Sequence, residues 1–422
     1  MRAMPAFSFL GKVATDSGKD GAMMVNNIEV TGEQHPSGGP GEFHLGRSEE
    51  LLAQLIKSHQ GAVQLIYLDP PFGTGDLFRM QIGRANIERP AYSDVLTGEK
   101  YLQFMKPILT GCRDLLNATG SLYLHVDYRM AAPLKLMLDE IFGEKNFMNE
   151  IIWMYRSGGR STRHFSRKHD TILFYRKSRN SYFNIEEAGI PRGPERRNHM
   201  KRSIDEKGRV TYSIRSGGKL YQYHEDTLVY PSDVWTDIEH LHQRDPERNG
   251  YATQKPEALL KRILAVSSRP GDLVADLFSG SGTTAAVAAQ MHRRFLVCDS
   301  SPFALYALRK RLTSLYNPVN LLEPAQPLDV FFPASAPQAT VAASCTARED
   351  GLICMVDEYE ETNSSPLVYC ALGQVINGIF HPAASTYTPT LPLTLSMHGG
   401  FGLPVLQTVD AEGRQGFWSL DI

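Results

Sequence analysis

Cysteine is scarce in this 422-residue chain, and its five copies (Cys112, Cys298, Cys345, Cys354, Cys370) are scattered, with no C-x-x-C pair and no zinc-like spacing. That pattern excludes a disulfide framework and a zinc ribbon, and it suits small buried hydrophobes in a reducing compartment. Long apolar runs are also lacking. None approaches the ~20 residues of a membrane span, and Met1–Met24 shows no basic start followed by a long apolar centre. A cytoplasmic protein without a membrane partner is expected. Net charge is nearly absent, at −2, but this hides a strong segregation. From Arg156 to Lys219 seventeen Lys and Arg stand against six Asp and Glu, whereas from Glu323 onward two basic residues stand against eleven acidic ones. One block suits a polyanion and the other repels it. Hydrophobic content of 42% and charged content of 21% are ordinary for a globular chain.

The most informative stretch is Leu65-Ile66-Tyr67-Leu68-Asp69-Pro70-Pro71-Phe72. Four apolar residues read as a buried strand, and two prolines, which have no N–H to donate, must end it at Asp69. A carboxylate then stands at the carboxyl end of a central strand, where open α/β sheets bind ligands. The Asp69 carboxylate, the Pro70 carbonyl, a backbone stiffened at Pro71 and a stacking face at Phe72 suit a flat heterocycle that carries an amino group.

A second pole lies two hundred residues on, at Asp276-Leu277-Phe278-Ser279-Gly280-Ser281-Gly282-Thr283-Thr284. It follows an apolar strand (Leu273–Leu277) and opens a helix (Thr283–Gln290), so its glycines permit close approach to a backbone whose free N–H groups face a ligand. Asp299, ending the next strand, is placed to hold a ribose diol. The glycine spacing also fits a dinucleotide fingerprint, but that fingerprint normally sits on the first βαβ unit, and no Lys follows as in a triphosphatase loop.

Between the poles the sequence predicts a short helix over Glu49–Lys57 capped by Ser48, a long polar loop from Gly73 to Thr97, and a helix over Tyr101–Asn117. A strand at Ser121–Val126, a helix at Met130–Phe142 and strands at Glu150–Tyr155 and Thr171–Tyr175 follow. This alternation argues for a parallel-type α/β sheet with helices on both faces. Expected divisions are a flexible arm over 1–42 with a short strand at Ile28–Thr31, a first catalytic part over 43–177, a target-recognition insert over 178–250, a cofactor-binding part over 251–322, and an acidic β-rich domain over 323–422. The insert holds one hairpin candidate (Arg209–Ile214 with Leu220–His224). Helices at Lys255–Ser267 and Pro302–Leu315 complete the second part.

Three features together, Asp69-Pro70-Pro71-Phe72, Thr253-Gln254-Lys255-Pro256-Glu257 and the Gly280–Thr284 loop after Asp276, resemble the DNA amino-methyltransferases, adenine-N6 and cytosine-N4. Ala91–Asp94, Ser121–Asp127 and Arg167–Tyr175 agree. Target motif first and glycine loop last is similar to the circularly permuted β group of that family. The resemblance implies a Rossmann-like class I methyltransferase sheet, S-adenosylmethionine as cofactor, and double-stranded DNA as substrate, with a homodimer and a cognate restriction endonuclease as candidate partners.

It also implies that Asp69 and the Pro70 carbonyl hold the amino group of a flipped base over Phe72. Asp276, Phe278, Gly280, Gly282, Thr283 and Thr284 would hold the methionine end, Asp299 the ribose, and Thr253, Gln254 and Lys255 would close over the cofactor. Asp at the first motif position leans to adenine N6 over cytosine N4. In the basic block, Arg156, Arg160, Arg163, Arg167, Lys168, Arg196, Arg197, Lys201 and Arg202 are expected to meet phosphates, with Tyr155, Tyr175, Tyr182, Phe183, Tyr212, Tyr221 and Tyr223 supplying faces for bases. One position departs from the pattern. Gly46-Arg47 stands where the family commonly has Gly-Asp, whose acid reaches the cofactor adenine, and arginine only donates. That departure motivates a catalytically silent DNA-binding homologue as the alternative from another class.

Overall fold

In the computed structural model residues 41–72, 98–156, 161–192, 200–251 and 253–301 are described without a break, together with helical positions between 304 and 312 and strands at 26–27, 77–82, 87–93 and between 328 and 419. The expected strand at Ile28–Thr31 lies outside the described residues.

Nine strands form the central sheet: β1 (Gly41–Leu45), β2 (Val63–Leu68), β3 (Leu116–Val126), β4 (Phe147–Met154), β5 (His169–Arg176), β6 (Val234–Trp235), β7 (Leu273–Asp276), β8 (Arg294–Asp299) and β9 (Leu328–Phe331). Their order across the sheet is β6-β4-β5-β3-β2-β7-β8-β1-β9. Every neighbouring pair is parallel except those made by β5, which runs antiparallel to both β3 and β4. The expected parallel sheet is therefore mixed. The reason is local, since no helix separates β4 from β5 and a direct return must run antiparallel.

The sheet is buried on both faces, and its side chains alternate accordingly. Leu65 and Tyr67 of β2, Val274 of β7, and Phe295 and Val297 of β8 join one core with α4 (Glu257–Ser267), α5 (Thr283–Gln290) and the helical positions Ala304, Leu305, Ala307, Leu308 and Leu312. Ile66, Leu68, Ala275, Leu296 and Cys298 point the other way, into a core with α1 (Ser48–His59), α2 (Gly98–Leu115) and α3 (Ala131–Phe142). Two-sided burial explains why these strands read as unbroken apolar runs. Cys112, Cys298, Cys354 and Cys370 are all buried. Among the described residues no helix is long and apolar enough to cross a membrane.

Several expectations need correction. Ser48 does not cap α1. Arg47 holds the cap position, and the Ser48 hydroxyl donates to the Leu277 carbonyl, tying α1 to the end of β7. The 73–97 stretch contains an antiparallel pair, Leu77–Ile82 with Ile87–Ser93. Strand Val234–Trp235 leaves the basic region to extend the central sheet beside β4, and Leu328–Phe331 of the acidic region does so beside β1. The basic region holds a three-stranded meander, Lys201–Ile204, Val210–Ser216 and Lys219–His224, one strand more than the hairpin expected. From 339 on, strands form a three-stranded sheet and most of a five-stranded one, whose remaining strand is Asn26–Asn27.

Candidate active site

Strands β2, β7 and β8 lie side by side, so their carboxyl ends bring Asp69, Asp276 and Asp299 to one edge of the sheet. All three line one cavity of about 620 Å³, together with Arg47, Glu49, Tyr67, Pro71, Thr253, Lys255, Phe278, Gly280, Thr283 and Thr284. That is the size range of cofactor and ligand sites. Two motifs separated by two hundred residues of chain thus share one chamber.

The glycine pole is wired to itself. Gly280 and Gly282 have φ of +49° and +75°, conformations that side chains with a Cβ rarely adopt. Asp276 accepts from the Phe278 N–H (2.9 Å) and the Thr284 hydroxyl (2.6 Å), while Asp299 accepts from the N–H groups of Gly280 (2.7 Å) and Ser301 (2.8 Å). Burial raises both carboxyls, Asp276 to about 7 and Asp299 to about 6. For Asp276 the negative charges of Asp69 and Asp299 add to the rise, and its hydrogen bonds offset part of it.

The Asp69 pole is wired differently. Oδ2 of Asp69 receives the Lys255 ammonium at 2.5 Å, whereas Oδ1, buried, has no hydrogen-bond partner among the described residues. Pro70 is buried, and Phe72 stacks on His125 with centroids 5.9 Å apart and planes at 29°, while Lys255 Nζ lies 5.2 Å from the Phe72 ring centre. His125 belongs to a buried chain: Nδ1 meets the Tyr67 hydroxyl at 2.8 Å, Nε2 meets Asp170 at 3.1 Å, and the Tyr155 hydroxyl donates to Asp170 at 3.1 Å. Burial would raise the Asp170 carboxyl, but the His125 contact and the Lys255 charge hold it below its usual range. Burial together with Asp69, Asp276 and Asp170 pushes the Tyr67 phenol well up, so it stays protonated.

Some candidates prove structural. Gln254 is buried and turned away from the cavity, donating to the Glu247 carbonyl (2.7 Å) and accepting from the Asn249 N–H (2.9 Å). Gly282 serves packing: a Cβ there would stand 3.0 Å from Leu308 Cβ. Arg47 lines the cavity, yet its side chain is mostly exposed and bonds Glu49 at 2.7 Å. Glu49, which sequence reasoning passed over, puts an acceptor two residues beyond the position where the family has its acid. Tyr251, Phe104 and Ser279 were missed as well. Tyr251 packs 3.4 Å from where a Gly280 Cβ would be, Phe104 and Phe278 pair edge-on at 6.2 Å, and the Ser279 hydroxyl is buried without a partner among the described residues.

Of the basic candidates, Arg160, Arg196 and Arg197 lie outside the described residues. Arg156, Arg163, Arg167, Lys201 and Arg202 are exposed, Lys168 is half-buried with its ammonium 3.5 Å from the Arg156 carbonyl, and Arg167 covers the Tyr128 ring at 4.3 Å. Tyr175 and Tyr212 are fully buried and cannot face bases: Tyr175 donates to Asp139, and Tyr212 lies under Arg192, itself buried.

Residues 63–310, more than half of the chain, match the DNA methylase family of N6 and N4 methyltransferases. The chain belongs to this DNA methylase family. It is similar to the type II methyltransferase M.EcaI of Enterobacter cloacae, 31% identical over 59% of this chain and 64% of that protein, so it spans a little under two thirds of that relative's length. The DNA adenine methyltransferase YhdJ of Escherichia coli K12 is 29% identical over 62% of this chain and 80% of its own length. Among solved structures, M1.HpyAVI in complex with SAM is 18% identical, with a TM-score of 0.40 over 64% of this chain and all of that one. DNA methylases of this family depend on S-adenosylmethionine. The residues of the chamber fit that group: acids at Asp276, Asp299 and Glu49 suit a cationic, hydroxylated ligand, the positive-φ glycine at Gly280 opens the backbone to it, and the Ser279 hydroxyl lacks a partner.

Proposed function

We propose that this protein is a DNA methyltransferase that modifies N6 of adenine in a base turned out of the duplex. The observation that carries the reading is the shared chamber, with a strand-ending Asp69 on one wall and the Asp276–Thr284 loop on the other. S-adenosylmethionine supplies a methyl made electrophilic by a sulfonium, so no metal and no covalent enzyme intermediate is needed. Gly280, Ser279 and the start of α5 would hold its methionine end, Asp299 its ribose, and Glu49, which lines the same cavity as the Phe104–Phe278 pair, its adenine amino group.

The chain's own contribution to the transfer is positional. An aromatic amine has its lone pair drawn into the ring. Donating its two hydrogens to the free Asp69 Oδ1 and the Pro70 carbonyl turns that lone pair toward the methyl. The Phe72 ring, fixed from behind by His125, gives the base its stacking face. Asp69 Oδ1 accepts the proton that the nitrogen sheds once the new N–C bond forms. Adenine is favoured over cytosine because the motif begins with Asp, and the name of the relative YhdJ agrees with that choice. For DNA, the exposed Arg163 and Arg167 flank Phe165, which is 98% exposed and precedes Asp170, the acceptor of the Tyr155 hydroxyl, by five residues. Affinity for DNA should fall steeply with added salt.

The test is to incubate the protein with labelled S-adenosylmethionine and genomic DNA and to identify the modified nucleoside by mass spectrometry. N6-methyladenine is expected. N4-methylcytosine would overturn the choice of base, and absence of transfer would overturn the reading in favour of a silent DNA-binding homologue.

A further inference from the structure

We propose that Lys255 is a positioning residue for the target amine: its ammonium occupies one oxygen of Asp69 so that the other is aimed at the nitrogen to be methylated. This rests on the methyl-transfer reading above, and it moves Lys255 from the cofactor, where the sequence motif alone placed it, to the base.

Lys255 joins the two poles of the chamber. Its backbone carbonyl accepts from the Thr283 hydroxyl (3.1 Å) at the start of α5, so its main chain is anchored to the glycine loop. Its side chain then crosses to a carboxylate 186 residues earlier in the chain, and the pair is well shielded, at 10% and 16% side-chain exposure. A charge-assisted contact of 2.5 Å in such a place fixes the carboxylate's rotation. The consequence falls on the second oxygen. Asp69 Oδ1 is buried and finds no donor among the described residues, an arrangement proteins rarely keep unless a ligand completes it. An amino group resting near Phe72 is such a donor.

The ammonium also lies over the Phe72 ring, 5.2 Å from its centre. There it can hold Asp69 without needing to leave when the base arrives, because it uses one oxygen and the amine uses the other. An ammonium offers donors and no acceptor, so the proton released by the nitrogen goes to the open oxygen of Asp69 and not to Lys255.

The experiment compares the parent with Lys255→Met, Lys255→Gln and Lys255→Arg, measuring S-adenosylmethionine affinity by calorimetry, melting temperature, and the single-turnover methylation rate of genomic DNA at saturating cofactor. For Lys255→Met the rate should fall about 100-fold while cofactor affinity stays within about threefold. Lys255→Arg, which keeps a charged donor, should recover at least about tenfold of that loss, with Lys255→Gln between the two. Cofactor affinity weakened about tenfold or more, with the rate at saturation unchanged, would return Lys255 to the cofactor and overturn the proposal. An unchanged rate would overturn it too. If Lys255→Met does not fold, the ranking of Arg above Gln decides. A parent that binds no cofactor and methylates no DNA would sink the methyl-transfer reading itself, an outcome distinct from any of these.

Discussion

Asp276 and Asp69 end neighbouring strands of one sheet and line one cavity, yet they are bonded in opposite ways. Asp276 has both oxygens engaged by its own loop, through the Phe278 N–H and the Thr284 hydroxyl, as Asp299 has through Gly280 and Ser301. Asp69 has one oxygen held by a distant lysine and one left over. The difference separates two uses of a buried carboxylate. The first kind shapes backbone, and its chemistry is largely consumed by the fold. The second kind is kept incomplete by the fold and is completed by substrate.

Replacing Asp69 by Ala should break the comparison most visibly. Methyl transfer should drop by about 10²–10³-fold, as expected when a group that acts on the transition state is removed, while S-adenosylmethionine affinity stays within a few-fold. Activity close to the parent's would show that the free oxygen serves nothing. On the other pole Thr284→Val deletes the donor to Asp276 Oδ2 and leaves a buried acceptor unpaired, which costs about 1–3 kcal/mol of stability. Each kcal/mol should lower Tm by roughly 2–4 °C in a unit of 150–250 residues. Cofactor affinity should weaken with it, and the rate at saturating cofactor should survive. If Asp69→Ala melts the protein and Thr284→Val stops only transfer, the two assignments are reversed.

The comparison can be sharpened with pH. Burial lifts the folded-state values of Asp276 to about 7 and Asp299 to about 6, from an ordinary 3.8. Between those limits the folded state binds more protons than the unfolded one, so the stability due to these groups is fullest below about 4 and declines as pH rises through 6 and 7. Above that the loop carries buried negative charge, which a cation relieves. The rise in Tm on adding S-adenosylmethionine should therefore grow from about pH 5.5 to about pH 7.5, and grow less with S-adenosylhomocysteine, whose sulfur is neutral. Equal growth for both ligands, followed by thermal melts across that range, would detach these two acids from the sulfonium's charge.

Much of this arrangement was legible in the sequence because it depends on local signals. Two prolines end β2 at Asp69, and glycines at 280 and 282 mark a turn that needs positive φ. Apolar runs marked β2 and β7 as strands buried on both faces. What escaped were relations between remote residues. The Tyr67–His125–Asp170–Tyr155 chain joins three strands, and neither Lys255 nor Ser48 carries a local sign of its partner, Asp69 in one case and Leu277 in the other. Tyr175 and Tyr212 were misread for the same reason: a tyrosine among arginines looks exposed until remote partners, Asp139 for Tyr175 and Arg192 for Tyr212, are seen to bury it. Polar composition hid the Leu77–Ser93 hairpin, since half of a strand's residues can face water.

The smallest expected effect concerns Glu49, which belongs to neither kind of carboxylate. It sits at the cavity's edge, 27% exposed at the side chain, with one oxygen shared with Arg47 at 2.7 Å. A surface ion pair of this sort contributes about 0–1 kcal/mol, so Glu49→Gln should leave Tm almost unchanged. If its remaining acceptor capacity meets the cofactor's adenine amino group, the amide, which can still accept through its oxygen, should weaken S-adenosylmethionine binding only about three- to tenfold, and Glu49→Ala should weaken it further. Adenine-free methyl donors would not register either change. Should Glu49→Ala bind the cofactor as tightly as the parent, Arg47 stands at a position that has lost its acceptor without replacement, and the adenine end of the chamber is held by the Phe104–Phe278 faces alone.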